Sequence, residues 1–268
     1  VTLKFTILGC GSSGGVPRPA LGWGDCNPDN PKNRRRRTSL LVEKHGSAGV
    51  TRILVDTSPD LREQLIDAKV DWLDAVLYTH EHADHTHGID DLRSYFIKHR
   101  RRVDVYLDAP TGAVMRARFG YCFATPAGSE YPPIVTEHRL TAGQPVTIQG
   151  EGGPLAALPY LQQHGDIASL GFRFGNMAYS CDVKDIPVQS LPALADLDVW
   201  IVDALRYRPH PSHLSLDEAL GWIGRIKPRR AILTNLHTDL DYDVLRSKLP
   251  AHIAPAFDGM TFEASESS

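Results

Sequence analysis

Four candidate metal ligands fall within six residues of this chain, directly behind a short apolar run. Residues 75–78 read AVLY, and the segment 79–88 that follows reads THEHADHTHG. A short apolar run bounded by polar residues is consistent with a buried strand. The polar segment then forms a loop at the strand end, where side chains project at the edge of a sheet. Residues two apart in an extended segment point to the same side, so His80 and His82 can share one metal ion. The turn that follows can direct Asp84 and His85 to a second ion nearby. Imidazole nitrogen together with carboxylate oxygen suits zinc, and also manganese or iron. The bland alternative is a polar loop with coincidental histidines, but this density of donors behind a buried strand favours metal binding. Such a site needs a rigid scaffold that brings further strand ends to the same edge.

The rest of the chain supplies strand ends. Residues 3–8 alternate apolar and polar side chains and run into Gly9, as a first strand does. Residues 39–42, 53–55, 103–107, 155–161, 170–174, 177–181, 199–202 and 231–234 also read as strands. Residues 59–68 read as a helix, with Ser58 as its cap and Pro59 in its first turn. Helices are further expected over 88–98, 111–119, 214–226 and 242–249, the third stopping before Pro228. The stretch 11–37, with Pro17, Pro19, Pro28 and Pro31, is an irregular loop of a length that is usually functional. Residues 122–153 are rich in Pro and Gly and give no assignment. Strands and helices interleave without a linker or a short repeat, so one α/β layered domain spanning 1–268 is expected.

Composition narrows the function. Of 268 residues, 42% are hydrophobic and 23% charged, enough for a substantial core. Only the Ser/Glu-rich end, 264–268, reads as disordered. The formal net charge of −3 lacks the basic footprint of a nucleic-acid binder. Cys10, Cys26, Cys122 and Cys181 form no CxxC pair, which argues against a disulfide framework and fits a reducing, cytoplasmic compartment. No apolar run is long enough to span a membrane, and the opening VTLKFTILG reads as a strand rather than a secretory signal. A homodimer is compatible with the sequence without being specified by it.

The pattern His80-x-His82-x-Asp84-His85 resembles the signature of the metallo-β-lactamase superfamily. The resemblance implies a four-layer αββα sandwich with metals at one edge of two sheets, and further ligands from later strand ends: a His, an Asp and a final His. The chain offers His164 in YLQQHGD, Asp182 in YSCD and His237 in LTNLHTD. By resemblance, His80, His82 and His164 hold one divalent ion and Asp84, His85 and His237 the other, with Asp182 bridging. Zinc is the first expectation, with manganese or iron as alternatives. Taken singly, His164 reads as a surface or capping residue and Asp182 as a turn residue; their order and strand-end placement favour ligation.

Residues 8–16, LGCGSSGGV, followed by a Pro-rich loop and Arg34-Arg35-Arg36-Arg37, look like one branch of that superfamily. It contains the phosphoribosyl cyclic phosphodiesterase of phosphonate breakdown and, more distantly, the tRNA 3′-processing endonuclease. Relatives there bind a structural zinc through several loop cysteines. Here only Cys26 remains in the loop, so that zinc is expected to be absent. The family's TH-x-x-H is replaced by Thr234-Asn235-Leu236-His237, and His237 is kept as a ligand because it is the only histidine of that loop.

Residues 209–219, PHPSHLSLDEA, place His213 just before a helix, as in phosphodiesterases of this branch. There it would act as a general acid towards the leaving alkoxide or steady charge on phosphorus. The plainer reading is a helix-start residue. His210 is a lesser candidate, and His87 could support the ligands. The arginine run is either a solvated face or a contact for substrate phosphate, and Arg206 and Arg208 are weak candidates for the same contact. The expected function is hydrolysis of a small or cyclic phosphodiester, or a nucleotide, by a metal-bridged hydroxide, with Asp84 holding a metal and orienting the nucleophile. The alternatives are tRNA 3′ processing and, in another class, a mononuclear iron oxygenase on the same fold.

Overall fold

Side-chain alternation sets the layers. In strand β1 (Thr2–Gly9), Leu3, Phe5 and Ile7 are buried on one face and Leu8 on the other. Strands β2 (Ser39–His45), β3 (Val50–Val55) and β4 (Ala75–Leu77) repeat this. Leu40, Val42, Ile53, Val55 and Leu77 join the first group, and Leu41, Leu54 and Val76 the second. Strands buried on both faces read as continuous apolar runs. The computed structural model describes residues 2–266.

The first sheet continues through β5 (Val103–Leu107) and β6 (Val135–Arg139). The second holds β7 (Val146–Ile148), β8 (Leu155–His164), β9 (Ile167–Phe174), β10 (Met177–Ser180), β11 (Val199–Asp203), β12 (Arg230–Thr234) and β13 (Ile253–Pro255). The last strand, β14 (Met260–Ser265), returns to the first sheet beside β1. Among the described residues each sheet has seven strands, in the orders β14-β1-β2-β3-β4-β5-β6 and β13-β12-β11-β10-β9-β8-β7.

Both sheets use one succession of pairings. Neighbours are antiparallel from β14 to β3 and parallel from β3 to β6. They are likewise antiparallel from β7 to β10 and parallel from β10 to β13. In each sheet an aspartate stands within two residues of the strand where the pairing switches. Asp56 and Asp182 both have left-handed backbones, with φ of 64° and 50°.

The inward faces form one core between the sheets, where Phe5 meets Phe174 at 6.3 Å and Phe262 at 5.2 Å between ring centroids. Helices cover the outer faces. Leu61 and Leu65 of α1 (Leu61–Asp67), Tyr95 of α3 (Arg93–His99) and Met115 of α4 (Ala109–Phe123) pack with Leu41 and Val76. Leu216, Ala219 and Ile223 of α5 (Leu216–Ile226) and Leu245 of α6 (Tyr242–Lys248) pack with Trp200 and Leu233. The result is a helix–sheet–sheet–helix sandwich of the α/β class. The remaining helix, α2 (Ala83–Thr86), is a single turn inside the histidine motif.

Several boundaries differ from the sequence reading. The helix expected over 59–68 begins at Leu61, because the Ser58 hydroxyl accepts from Asp60 N–H and donates to Gln64 instead of capping the helix. The helix expected over 88–98 opens as a 3₁₀ turn, Ile89–Leu92, before α3. Helix α5 starts at Leu216, after Ser215 closes a reciprocal capping box with Glu218.

Candidate metal centre

Four strand ends and one hairpin converge at a single edge. The segment behind β4 carries His80, His82, Asp84 and His85. The hairpin between β8 and β9 carries His164, and its turn needs Gly165 at φ 60°. The ends of β10, β11 and β12 carry Asp182, Asp203 and Asn235. A backbone bond from Leu170 N–H to Thr79 O, 2.9 Å, ties the two sheets together here. Gly88 closes the histidine segment against the loop after β3; a Cβ there would lie 2.0 Å from Ser58 O.

The imidazoles are oriented from behind. The Asp56 carboxylate accepts from Thr79 N–H and Thr79 Oγ1, each at 2.8 Å, and from His85 Nδ1 at 2.8 Å. Because the Thr79 hydroxyl donates to Asp56, its oxygen accepts from His80 Nδ1, at 2.9 Å. His164 Nδ1 donates to Ser212 O at 2.6 Å. In His80, His85 and His164 the proton therefore sits on Nδ1, and Nε2 turns its lone pair to the cluster. This is the arrangement by which carboxylates and carbonyls fix metal-binding imidazoles.

Donor atoms of His80, His82, His164 and Asp182 lie within 4.8 Å of one another, as do those of His85, Cys181 and Asp182. The two Asp182 oxygens face different neighbours. Oδ2 is 3.6 Å from His80 Nε2 and 3.5 Å from His164 Nε2, whereas Oδ1 is 3.3 Å from His85 Nε2. Asp84 Oδ2 is also 3.3 Å from His85 Nε2. His80 Nε2 and His85 Nε2 are buried without a hydrogen-bond partner. An unsatisfied buried polar atom costs about 1–3 kcal/mol. Inward lone pairs around a carboxylate are reconciled by a cation, and this donor set fits a divalent transition metal or zinc.

The electrostatics favour the neutral ligand form in two rings and oppose it in a third. Burial, and then the neighbouring His85, push His80 well below the ordinary imidazole range, into the neutral form a ligand needs. Burial likewise lowers His164. Burial also opposes the charged form of His85, but Asp182, Asp84 and Asp56 outweigh it and raise its pKa. Asp182 stays well below the usual carboxylate range against its own burial, held there by His85 and His213.

His213 stands beside the cluster, its ring centroid 4.6 Å from that of His164. Its Nδ1 donates to Asp203 Oδ2 at 2.8 Å, and its Nε2 is 3.9 Å from Asp182 Oδ2. Burial works against its charge, yet Asp203 and then Asp182 carry its pKa up to about 9.

His237 is not brought to the cluster, which corrects its expected place. Its Nδ1 lies 3.2 Å from Thr238 Oγ1 and 3.5 Å from Asp239, its N–H donates to Leu205 O, and its carbonyl accepts from Arg35. The position facing Asp182 is Asn235, the residue directly after β12, whose left-handed backbone (φ 63°) turns its amide inward. Asn235 Nδ2 donates to Asp182 Oδ1 at 3.0 Å and to Asp203 Oδ1 at 3.3 Å. The sequence signal was the asparagine standing where relatives have the first histidine of TH-x-x-H. Asp56 and Asp203 were also missed, although each stands directly behind an apolar run.

The arginine run is mixed: Arg34 is exposed, Arg36 and Arg37 are half-buried in ion pairs, and Arg35 alone is buried, with no hydrogen bond or ion pair from any of them to this cluster among the described residues. Arg35 is buried and donates to Leu240 O at 2.7 Å, and to His237 O and Asn33 Oδ1 at 3.2 Å each. Arg36 pairs with Asp67 at 2.5 Å and Arg37 with Asp60 at 3.0 Å. Arg206 braces its own loop through Arg208 O and Pro209 O. His87 is exposed and packs on Phe119, while His210 reaches only Ser212 by hydrogen bond.

Residues 51–235 match the beta-lactamase superfamily domain. Given the sandwich and the His/Asp cluster at its edge, the chain belongs to the metallo-β-lactamase superfamily. Within it, the chain is similar to the crystal structure of a diphosphatase from the PhnP family, at 32% identity and a TM-score of 0.88, covering 98% of each chain. It is 34% identical over 263 residues to an octanoyltransferase of Porphyromonas gingivalis, covering 96% of this chain and 51% of that protein. It is 31% identical over 147 residues to a ribonuclease Z of Salinibacter ruber, covering 53% of this chain and 43% of that protein. The chain thus spans about half the length, or less, of the curated relatives it matches. Among the described residues no helix is long and apolar enough to cross a membrane.

Proposed function

We propose that the chain hydrolyses a small phosphodiester, with two divalent ions held by the cluster and His213 as general acid. His80, His82, His164 and Asp182 Oδ2 would hold one ion, and Asp84, His85 and Asp182 Oδ1 the other. When bound, such ions lower the pKa of water and neutralise charge on phosphoryl oxygens. The chain's own residues do the rest. Asp56 fixes the His85 ring directly and the His80 ring through Thr79. Asp203 holds His213 by Nδ1, leaving Nε2 directed to the cluster, where it can pass a proton to a departing alkoxide.

The observation that carries this reading is His213 itself. It is an imidazole outside both donor groups, anchored by a carboxylate and 3.9 Å from Asp182. Thioester hydrolysis, which expels a stable thiolate, has less need of it than the expulsion of a poor alkoxide leaving group. Likeness to the PhnP-family diphosphatase supports phosphoryl chemistry and puts phosphoanhydrides beside phosphodiesters on the substrate panel. Acyl transfer is not carried over from the octanoyltransferase. That protein is about twice as long, and burial raises the pKa of all four thiols here, so none is poised as a thiolate.

The test is His213→Ala assayed on phosphodiesters of graded leaving-group pKa, with metal content measured alongside. Turnover should fall by about 10²–10⁴-fold for alkyl or ribosyl leaving groups and much less for nitrophenolate, with metals retained. An equal fall across the series would reject the acid role. Absence of turnover on every phosphodiester and phosphoanhydride would reject the substrate class.

A further inference from the structure

We infer that the two metal positions are unequal: the chain holds one divalent ion tightly and the second weakly, and Asn235, not His237, sets that difference. The inference rests on the two-metal reading above and concerns which donors this chain offers on each side of Asp182.

The Oδ2 side is rich. Three imidazoles, from His80, His82 and His164, gather there with one carboxylate oxygen. Two of these rings are fixed from behind by hydrogen bonds of 2.9 Å and 2.6 Å. Neutral, oriented imidazoles are strong donors to zinc and its neighbours in the first transition row.

The Oδ1 side is poor. It offers one imidazole, His85, and the carboxylates of Asp84 and Asp182. The place where β12 could supply another imidazole holds the Asn235 carboxamide. An amide oxygen is a weak, hard donor, better suited to calcium or magnesium than to zinc. As oriented, the amide also presents N–H rather than oxygen. It donates to Asp182 Oδ1, the oxygen an ion on this side would use, and to Asp203. An ion entering here must compete with that hydrogen bond or turn the amide over. His237 offers no remedy, because its backbone is tied to Leu205 and Arg35 and its ring to Thr238 and Asp239.

One further donor lies near. Cys181 Sγ is 3.1 Å from Asp182 Oδ1 and belongs to the same group as His85. It is fully buried in the inter-sheet core, beneath the carboxylate.

The backbone permits a direct test. Asn235 sits at φ 63°, a conformation in which Asn, Asp and His are the enriched non-glycine residues. Asn235→His therefore restores an imidazole without imposing an unusual conformation. Zinc-loaded wild-type protein, titrated with a competing chelator, should lose its ions in two steps separated by about tenfold or more, the scale of altered support at a metal site. Dialysis should leave one ion per chain. Asn235→His should retain two, and His237→Ala should give the wild-type curve.

Cobalt substitution provides a second readout that does not depend on the variant folding. Wild-type protein should take up cobalt in two spectral phases without a sulfur-to-cobalt charge-transfer band. Two ions retained with indistinguishable affinity would overturn the inference while leaving the two-metal reading intact. So would loss of the second ion in His237→Ala. Two tight ions with a sulfur band would overturn it by showing Cys181 as the missing donor. No bound divalent ion at all would reject the metal reading itself.

Discussion

Arg35 offers a test of how the long N-terminal loop is held. The side chain is 2% exposed, and its guanidinium meets Leu240 O, His237 O and Asn33 Oδ1 at 2.7–3.2 Å, with Cys26 Sγ at 3.8 Å. Asn33 and Asn27 extend the same seam to Asp241, at 2.6 Å and 3.0 Å. Replacing Arg35 with leucine leaves two buried acceptors, Leu240 O and Asn33 Oδ1, and the half-buried His237 O facing an apolar side chain. Each charge-assisted bond is worth about 1.5–3 kcal/mol, but the buried cation's own desolvation is recovered when it leaves. A net loss of about 3–5 kcal/mol follows, from acceptors left without their donor at about 1–3 kcal/mol each. In a chain of this size that corresponds to roughly 10 °C in melting temperature. The assay is urea unfolding of metal-loaded wild-type and variant protein, with zinc content measured in parallel. Cys26→Ser is the control and should stay within about 1 kcal/mol, since it removes one weak contact. Arg35 fails as the loop's anchor if Arg35→Leu stays within that same margin. It also fails if either variant releases an additional zinc, because a metal would then be doing the work assigned here to the guanidinium.

Two further outcomes follow from residues already described. His82→Ala should lose the more tightly held ion and hydrolytic activity together; full activity with a single bound iron would instead favour an oxygenase-like centre. Asp258, raised to about 6 by burial despite bonds from the N–H groups of Arg36 and Cys10, favours its protonated form in the folded state. Its contribution to stability is therefore full below about pH 4 and lost as pH rises through about 6, a change of about 3 kcal/mol. Urea midpoints of the wild type should fall relative to Asp258→Asn over that interval, and parallel curves would refute the shift.

The parts legible in the sequence were those written in local pattern. Apolar runs marked the strands buried on both faces, and the histidine motif announced itself by density. Strands β6, β7, β13 and β14 escaped because they are short or edge strands. In VTEHR of β6 only Val135 is fully buried, so neither alternation nor an apolar run stands out. Asp56 and Asp203 escaped for another reason. A lone aspartate after a strand is ordinary in sequence, and only the fold shows which ones sit behind an imidazole. His237 misled because histidine is the better donor by chemistry, whereas position is decided by backbone. The residue directly after β12 turns inward, and two residues later the chain is already bound to Leu205 and Arg35.

The matching succession of pairings in the two sheets has a consequence for how the centre is owned. Asp56 and Asp182 occupy like positions in the two halves, each on a left-handed backbone at the pairing switch. One braces imidazoles from behind and the other stands among their lone pairs. The first half supplies His80, His82, Asp84 and His85; the second supplies His164, Asp182, Asp203, His213 and Asn235. Neither half can assemble the centre alone, so an ion seated there clasps the seam between them. Its binding free energy becomes resistance to their separation, and stripping the ion should loosen the sandwich along the line where its two similar halves meet.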